Sequence, residues 1–272
     1  MRKKKIVILT VTPIVLIGML ASYLFWANQR ADYYANISNE ASNKQEKILN
    51  LEKSLALWKK TGNILTLADL YISTGNSNLA KQIMVGRGEV DILNKLGNLY
   101  LNENKVKEAE NTFIKAKNKN INSESLKGLI LVELKKGDRG VTEGYLSQLS
   151  VLDQGSANCY ASFVYLNDYN KAKDAYVKAK SCNLYGIDKY FASYKKTQNP
   201  LYLKLEAINL YYSQDYLNLA EKDILALIKE KDNYRDSHIL ASKIYEKLGN
   251  QAKTNEYKQK AEEIDQTNLN LN

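Results

Sequence analysis

Residues Asp91–Ile121 read DILNKLGNLYLNENKVKEAENTFIKAKNKNI. Leu93, Leu96 and Tyr100 fall three and four residues apart, and so do Ala109, Phe113 and Ala116, the spacing of one face of an α-helix. The polar stretch between them carries Asn104, a residue that accepts the left-handed backbone on which helices end. This segment therefore predicts two antiparallel helices joined by a tight turn.

The same frame extends over the rest of the chain. The position of Tyr100 is taken in turn by Tyr71, Tyr100, Glu133, Phe163, Tyr211 and Tyr245. Four residues after each come Gly75, Asn104, Gly137, Asn167, Asp215 and Gly249, and nine after each come Ala80, Ala109, Thr142, Ala172, Ala220 and Thr254. Successive units are about 29, 33, 30, 48 and 34 residues apart, close to a ~34-residue helical repeat. Each column has a physical reason. The turn residue lets the first helix stop and reverse, the small residue lets the second helix approach it closely, and the ring fills the space between helices. Ala116, Ala179 and Ala261 repeat the small-residue role near the ends of second helices. The long step leaves room for an extra helix near Gly186–Thr197, and the short one, through VGRGEV at Val85–Val90, implies a shortened second helix.

The pattern resembles the tetratricopeptide repeat: an L-G pair (Leu96-Gly97), a Tyr (Tyr100), a later Ala (Ala109), an aromatic (Phe113) and a further Ala (Ala116). Leu93 stands where the family has Trp and Ile121 where it has a closing Pro. The resemblance covers roughly 61–264 and is weakest at 124–153, where Glu133 replaces the ring. It implies an all-α fold, a right-handed α-α superhelix of helical hairpins.

Composition agrees with helix and excludes much else. The 272 residues include only 2 Pro and 13 Gly, which disfavours sandwiches, barrels and collagen-like chains. One His and 2 Cys leave no material for a zinc finger or a disulfide-dense scaffold. Of the net charge of +9, four units come from Arg2, Lys3, Lys4 and Lys5; beyond them Lys interleaves with Glu and Asp, which argues against nucleic acid as a partner.

Residues 6–27, IVILTVTPIVLIGMLASYLFWA, carry no charge. As a helix they would extend about 33 Å, comparable with a ~30 Å hydrocarbon core. The expectation is one transmembrane helix with residues 1–5 as a basic cytoplasmic flank, residues 28–60 as a helical stalk or linker, 61–265 as the solenoid of about six units, and 266–272 as a disordered tail. The positive-inside rule then puts the C-terminal domain outside the cytoplasm.

No catalytic constellation emerges, and no cofactor or metal is expected. His238 has no companion His, and VGRGEV lacks the preceding strand and the Lys-Ser/Thr of a phosphate loop. Cys159 and Cys182 lie at neighbouring ends of one hairpin, which suits a disulfide; two buried thiols are the alternative. Asn36-Ile37-Ser38 is a glycosylation sequon.

The family resemblance implies peptide or protein binding in a groove lined by first helices. Groove candidates are Asn94, Asn98, Lys127, Tyr202, Asn209, Tyr212 and Lys243. Asn98 and Asn209 share a column with the Asn of the carboxylate-clamp subfamily, but the Lys one turn earlier is Asn94, so the clamp is incomplete. The functional expectation is a membrane-anchored, non-catalytic scaffold. The alternatives are a self-associating component of an envelope or secretion assembly and an enzyme with its site near 186–200.

Overall fold

A computed structural model describes residues 2–180, 182, 184–194 and 199–269, with side chains for all of these except 2–14, 193, 194 and 265–269. The described residues are helical, without strands. In order they form α1 (Arg2–Glu40), α2 (Lys44–Leu57), α3 (Thr61–Ser73), α4 (Ser77–Met84), α5 (Val90–Asn102), α6 (Val106–Lys119), α7 (Ser123–Lys136), α8 (Arg139–Leu152), α9 (Gln154–Val164), α10 (Tyr169–Lys178), a 3-10 turn (Leu184–Gly186), α11 (Ile187–Tyr194), α12 (Pro200–Ser213), α13 (Leu217–Glu230), α14 (Arg235–Lys247) and α15 (Gln251–Leu269). The chain divides into two compact units, Met1–Leu99 and Tyr100–Asn272.

The repeated columns carry the hairpin geometry. Gly75, Asn104, Gly137, Asp215 and Gly249 are all left-handed, with φ between 57° and 80°. In each of these turns the next residue donates its backbone N–H to the carbonyl of the ring-column residue: Asn76 to Tyr71, Lys105 to Tyr100, Asp138 to Glu133, Tyr216 to Tyr211, and Asn250 to Tyr245, at 2.7–3.0 Å. This bond satisfies a helix-end carbonyl that would otherwise have no partner. The small column, Ala80, Ala109, Thr142, Ala172, Ala220 and Thr254, is 0% exposed at every position. Asn167 departs from the scheme: its turn closes with Asp168 N–H on Tyr165 O at 2.7 Å and needs no left-handed residue.

In the first unit, α1 and α2 pack as a hairpin. Ala27, Ala31 and Ser38 form the buried stripe of α1, opposite Asn50, Leu51 and Ser54. The Ser54 hydroxyl donates to Ala31 O at 2.8 Å and the Ser38 hydroxyl to Lys47 O at 2.9 Å. Residues 28–60, read from the sequence as a helical stalk or linker, comprise the last third of α1, the turn, α2 and the link to α3.

The membrane reading of this region is overturned. Among the described residues no helix is long and apolar enough to cross a membrane. Val15–Trp26 is exposed and largely apolar. From Ala27 onward one stripe of the same helix is covered by protein. Residues 6–14 of the apolar run, and the basic side chains at 2–5, lie outside the described side chains. The assignment of 6–27 as a transmembrane helix is therefore corrected, and so are the single-pass placement, the cytoplasmic N-terminus, the extracytoplasmic C-terminal domain and the membrane as a partner.

In the second unit Phe113 and Leu129 are buried together with Leu101, Ala109 and Val132. Gly128 is required here, since a Cβ at that position would stand 2.3 Å from the Phe113 ring. Glu133, in the ring column, is buried at 4% exposure and pairs with Lys136 at 3.0 Å, which also reaches Glu110 at 2.5 Å.

A repeat array joins only neighbouring hairpins, but here α13 also grips the α7–α8 turn, two hairpins earlier. The Arg139 guanidinium meets both Asp223 oxygens, at 2.8 and 2.5 Å, and donates from Nε to Val164 O at 3.1 Å. Asn218 Nδ2 donates to Lys135 O at 2.8 Å and Lys222 Nζ to Gly137 O at 2.6 Å. Burial opposes the Arg139 charge, yet the bonds to Asp223 raise its pKa above the ordinary value. Beside this clasp, Phe163 is ringed by Tyr185, Tyr211 and Tyr216 at centroid distances of 5.0, 5.2 and 5.5 Å. The Tyr211 hydroxyl donates to Phe163 O at 2.7 Å.

Cys159, within α9, and Cys182, beyond α10, have Cα atoms 5.3 Å apart and sulfurs at 1.97 Å, a disulfide. α11 lies within the segment where the sequence left room for an extra helix, and α4, with 8 residues, is the shortened second helix.

Two outcomes are expected. Replacing both cysteines, Cys159→Ser with Cys182→Ser, releases a 23-residue loop and lowers stability by about 3 kcal/mol on chain-entropy grounds. Urea denaturation without reductant measures this, and identical midpoints would contradict the bridge. Second, burial raises the Tyr160, Tyr211 and Tyr216 pKa values, and burial together with the Glu52 hydrogen bond raises Tyr71 to about 12. Unfolded tyrosines ionise near 10. Their contribution is therefore intact below pH ~10 and is lost as pH rises toward the folded values. Alkaline titration should show the last tyrosinate absorbance appearing together with loss of far-UV dichroism. Full ionisation at pH 10 with helicity unchanged would contradict the burial.

Candidate functional site

The described residues hold no group of three or more His, Cys, Asp or Glu arranged to take a metal ion. His238 is 3% exposed, with Nε2 2.5 Å from Asp232 O and its ring 5.9 Å from that of Tyr257, so it serves packing in α14. The stretch 186–200, a candidate enzyme site in the sequence, is in part α11. Phe191 packs there against Tyr176, with ring centroids 4.6 Å apart, and lies 5.9 Å from Tyr169; residues 195–198 lie outside the described residues.

The seven groove candidates fall on four helices. Asn94 and Asn98 are one turn apart on α5, in the first unit. Asn98 is exposed, whereas Asn94 is only 6% exposed and presents little to a ligand. Lys127 on α7 is half-buried and tied to Glu124 at 3.0 Å and Asp153 at 3.9 Å.

The remaining four stand on α12 and α14, which pack against each other. Tyr202 is 37% exposed, Asn209 and Lys243 are exposed, and Tyr212 is half-buried. Local sequence explains their position. Asn199 caps α12 by accepting from Leu201 N at 3.0 Å, Pro200 occupies the first turn, and Leu203, Ala207, Ile208 and Tyr211 are buried. That burial fixes the rotation of α12 and leaves Tyr202 and Asn209 outward.

Three residues missed from the sequence enter this face. Glu206, one turn beyond Tyr202, raises the Tyr202 pKa by its charge, with burial second. Tyr234 is raised by burial first and then by the charges of Asp236, Tyr202 and Glu206, which places it among them. Lys247 lies 4.9 Å from the Tyr212 ring centroid and pairs with Asp215. The spacing of four between Tyr202 and Glu206 was a readable signal; the approach of Tyr234 and Lys247 depends on tertiary packing.

Lys135 adds to the charge here. Its Nζ donates to Asp215 O at 3.2 Å and lies 5.2 Å from the Tyr216 ring centroid. Burial lowers its pKa, Asp215 opposes the shift and Lys247 adds to it. The face therefore joins partly exposed rings, amide groups and charges of both signs. It can make hydrogen bonds and cation–π contacts.

No family model matches the chain, and no curated protein does. Among solved structures it is similar to a tetratricopeptide repeat protein from Parabacteroides merdae, at 14% identity over 87% of this chain and 93% of that one, with a TM-score of 0.47. It is also similar to YrrB, described as a TPR protein with an unusual peptide-binding site, at 16% identity over 79% and 91%, with a TM-score of 0.34. A third is human IFIT1 in a dimer with PPP-AAAA, at 14% identity over 80% of this chain and 58% of that one, with a TM-score of 0.43. With every TM-score below 0.5, the fold description rests on this chain's own helix order and turn geometry.

Proposed function

We propose that the chain is a tetratricopeptide-like scaffold that binds a protein or peptide partner without transforming it, and that the α12–α14 face makes the contact. The observation carrying this reading is the exposure of Tyr202, Asn209 and Lys243 on two packed first helices. Partly exposed aromatic rings flanked by charge are the surface type that supplies most binding energy at protein interfaces. Asn209 offers a donor and an acceptor to an extended backbone, and Lys243 an exposed cation for an acidic group.

A photocrosslinking residue installed at Asn209 in the full chain should give discrete adducts in cells. The same residue at Lys229, exposed on α13, should not give them. Tyr202→Ala with Lys243→Glu should remove about 2 kcal/mol, roughly 30-fold in affinity, and the adducts with it. Identical adducts at both positions, or adducts indifferent to the double substitution, would show that this face is not the contact surface.

A further inference from the structure

The shortened helix α4 leaves a pocket in the first unit. α4 has 8 residues where α6, α8 and α13 have 14, so about 9 Å of second helix is missing. The chain instead turns out at Val85–Gly86, with Gly86 at φ 80°. The space left open is about 620 Å³, within the ~300–1,000 Å³ range of ligand pockets.

The walls have two characters. Leu55 from α2, Ile64 from α3 and Leu79 and Ile83 from α4 supply apolar surface, and Val85 stands 57% exposed at the edge. The ionised groups in the lining are both cations, Lys59 and Arg87. Lys59 has no ion-pair partner among the described residues, and Arg87 meets Glu89 only at 4.0 Å. The nearest acid to the Tyr71 wall, Glu52, already accepts from the Tyr71 hydroxyl at 2.5 Å.

We propose that this pocket between α2, α3 and α4 takes an extended segment of a partner protein in which large apolar side chains lie next to carboxylates. The apolar side chains fill the volume that the missing turns of α4 would occupy. The carboxylates meet Lys59, which has no ion-pair partner among the described residues, and Arg87, whose pairing with Glu89 at 4.0 Å is loose. The site belongs to the first unit alone and does not depend on the reading of the α12–α14 face.

The test uses the full chain and a fluorescein-labelled peptide, acetyl-Asp-Glu-Leu-Phe-Asp-Glu-amide, followed by fluorescence polarisation. Saturable binding is expected, weakening as salt rises. Replacing the peptide's acids by Lys, or its Leu-Phe by Ala-Ala, should abolish it. Lys59→Glu with Arg87→Glu should weaken it by at least roughly 10-fold, and so should Val85→Asp, a change at an exposed position that spares the core. Absence of saturable binding, or binding unchanged in both variants, overturns the proposal. So does a dimer of the full chain, seen by sedimentation, that these substitutions dissolve, because the pocket's occupant is then a second copy.

Discussion

The structure depends on the close contact of two antiparallel helices at each hairpin, which favours a small side chain, Ala or Thr, on the second helix. At six positions, nine residues after each ring-column residue, the chain places Ala or Thr, and each is completely covered. The contact and the turn support each other. A left-handed residue ends the first helix, the next amide closes on a carbonyl five residues back, and the second helix starts with its small face already inward. Asn104 and Asp215 adopt this backbone without being glycine, at roughly 1 kcal/mol or less for residues whose short polar side chains tolerate it.

The stack built on that contact is not a uniform one. α13 closes on the α7–α8 turn across the α9–α10 hairpin, through Arg139–Asp223 and through Asn218 and Lys222 on the carbonyls that end α7. Two constraints hold the intervening segment: the disulfide and the ring cluster around Phe163. This local compaction determines how α12, and the face it shares with α14, is presented. The first unit follows another departure from regularity, in which truncation of one helix leaves apolar surface and two cations around an open volume.

Much of the helical organisation was legible because it repeats. The turn and small-residue columns could be read as backbone and steric requirements, and in five of the six turns the left-handed residue sits where the column put it. Asn167 failed because Asn is also an ordinary turn residue, so its identity did not dictate one geometry. The clasp was not legible: Arg139 and Asp223 are 84 residues apart, and charged residues are common throughout the chain. The apolar run at 6–27 misled for a different reason. Uncharged composition does not show that the helix continues to Glu40 and that its stripe from Ala27 is covered by α2. In the candidate site, helical register indicated Tyr202 and Asn209 as outward positions, but it could not show that Asn94 is covered or that Tyr234 comes near Glu206.

The central claim, that small-residue contacts between paired helices specify this fold, is tested most directly by the urea unfolding free energy of Ala220→Leu against the unaltered chain. Ala220 is 0% exposed on α13, and forcing three further carbon atoms into that contact should destabilise the protein by about 1–3 kcal/mol or more. A leucine variant as stable as the parent would mean that the helices are not this close, and the hairpin account would fail.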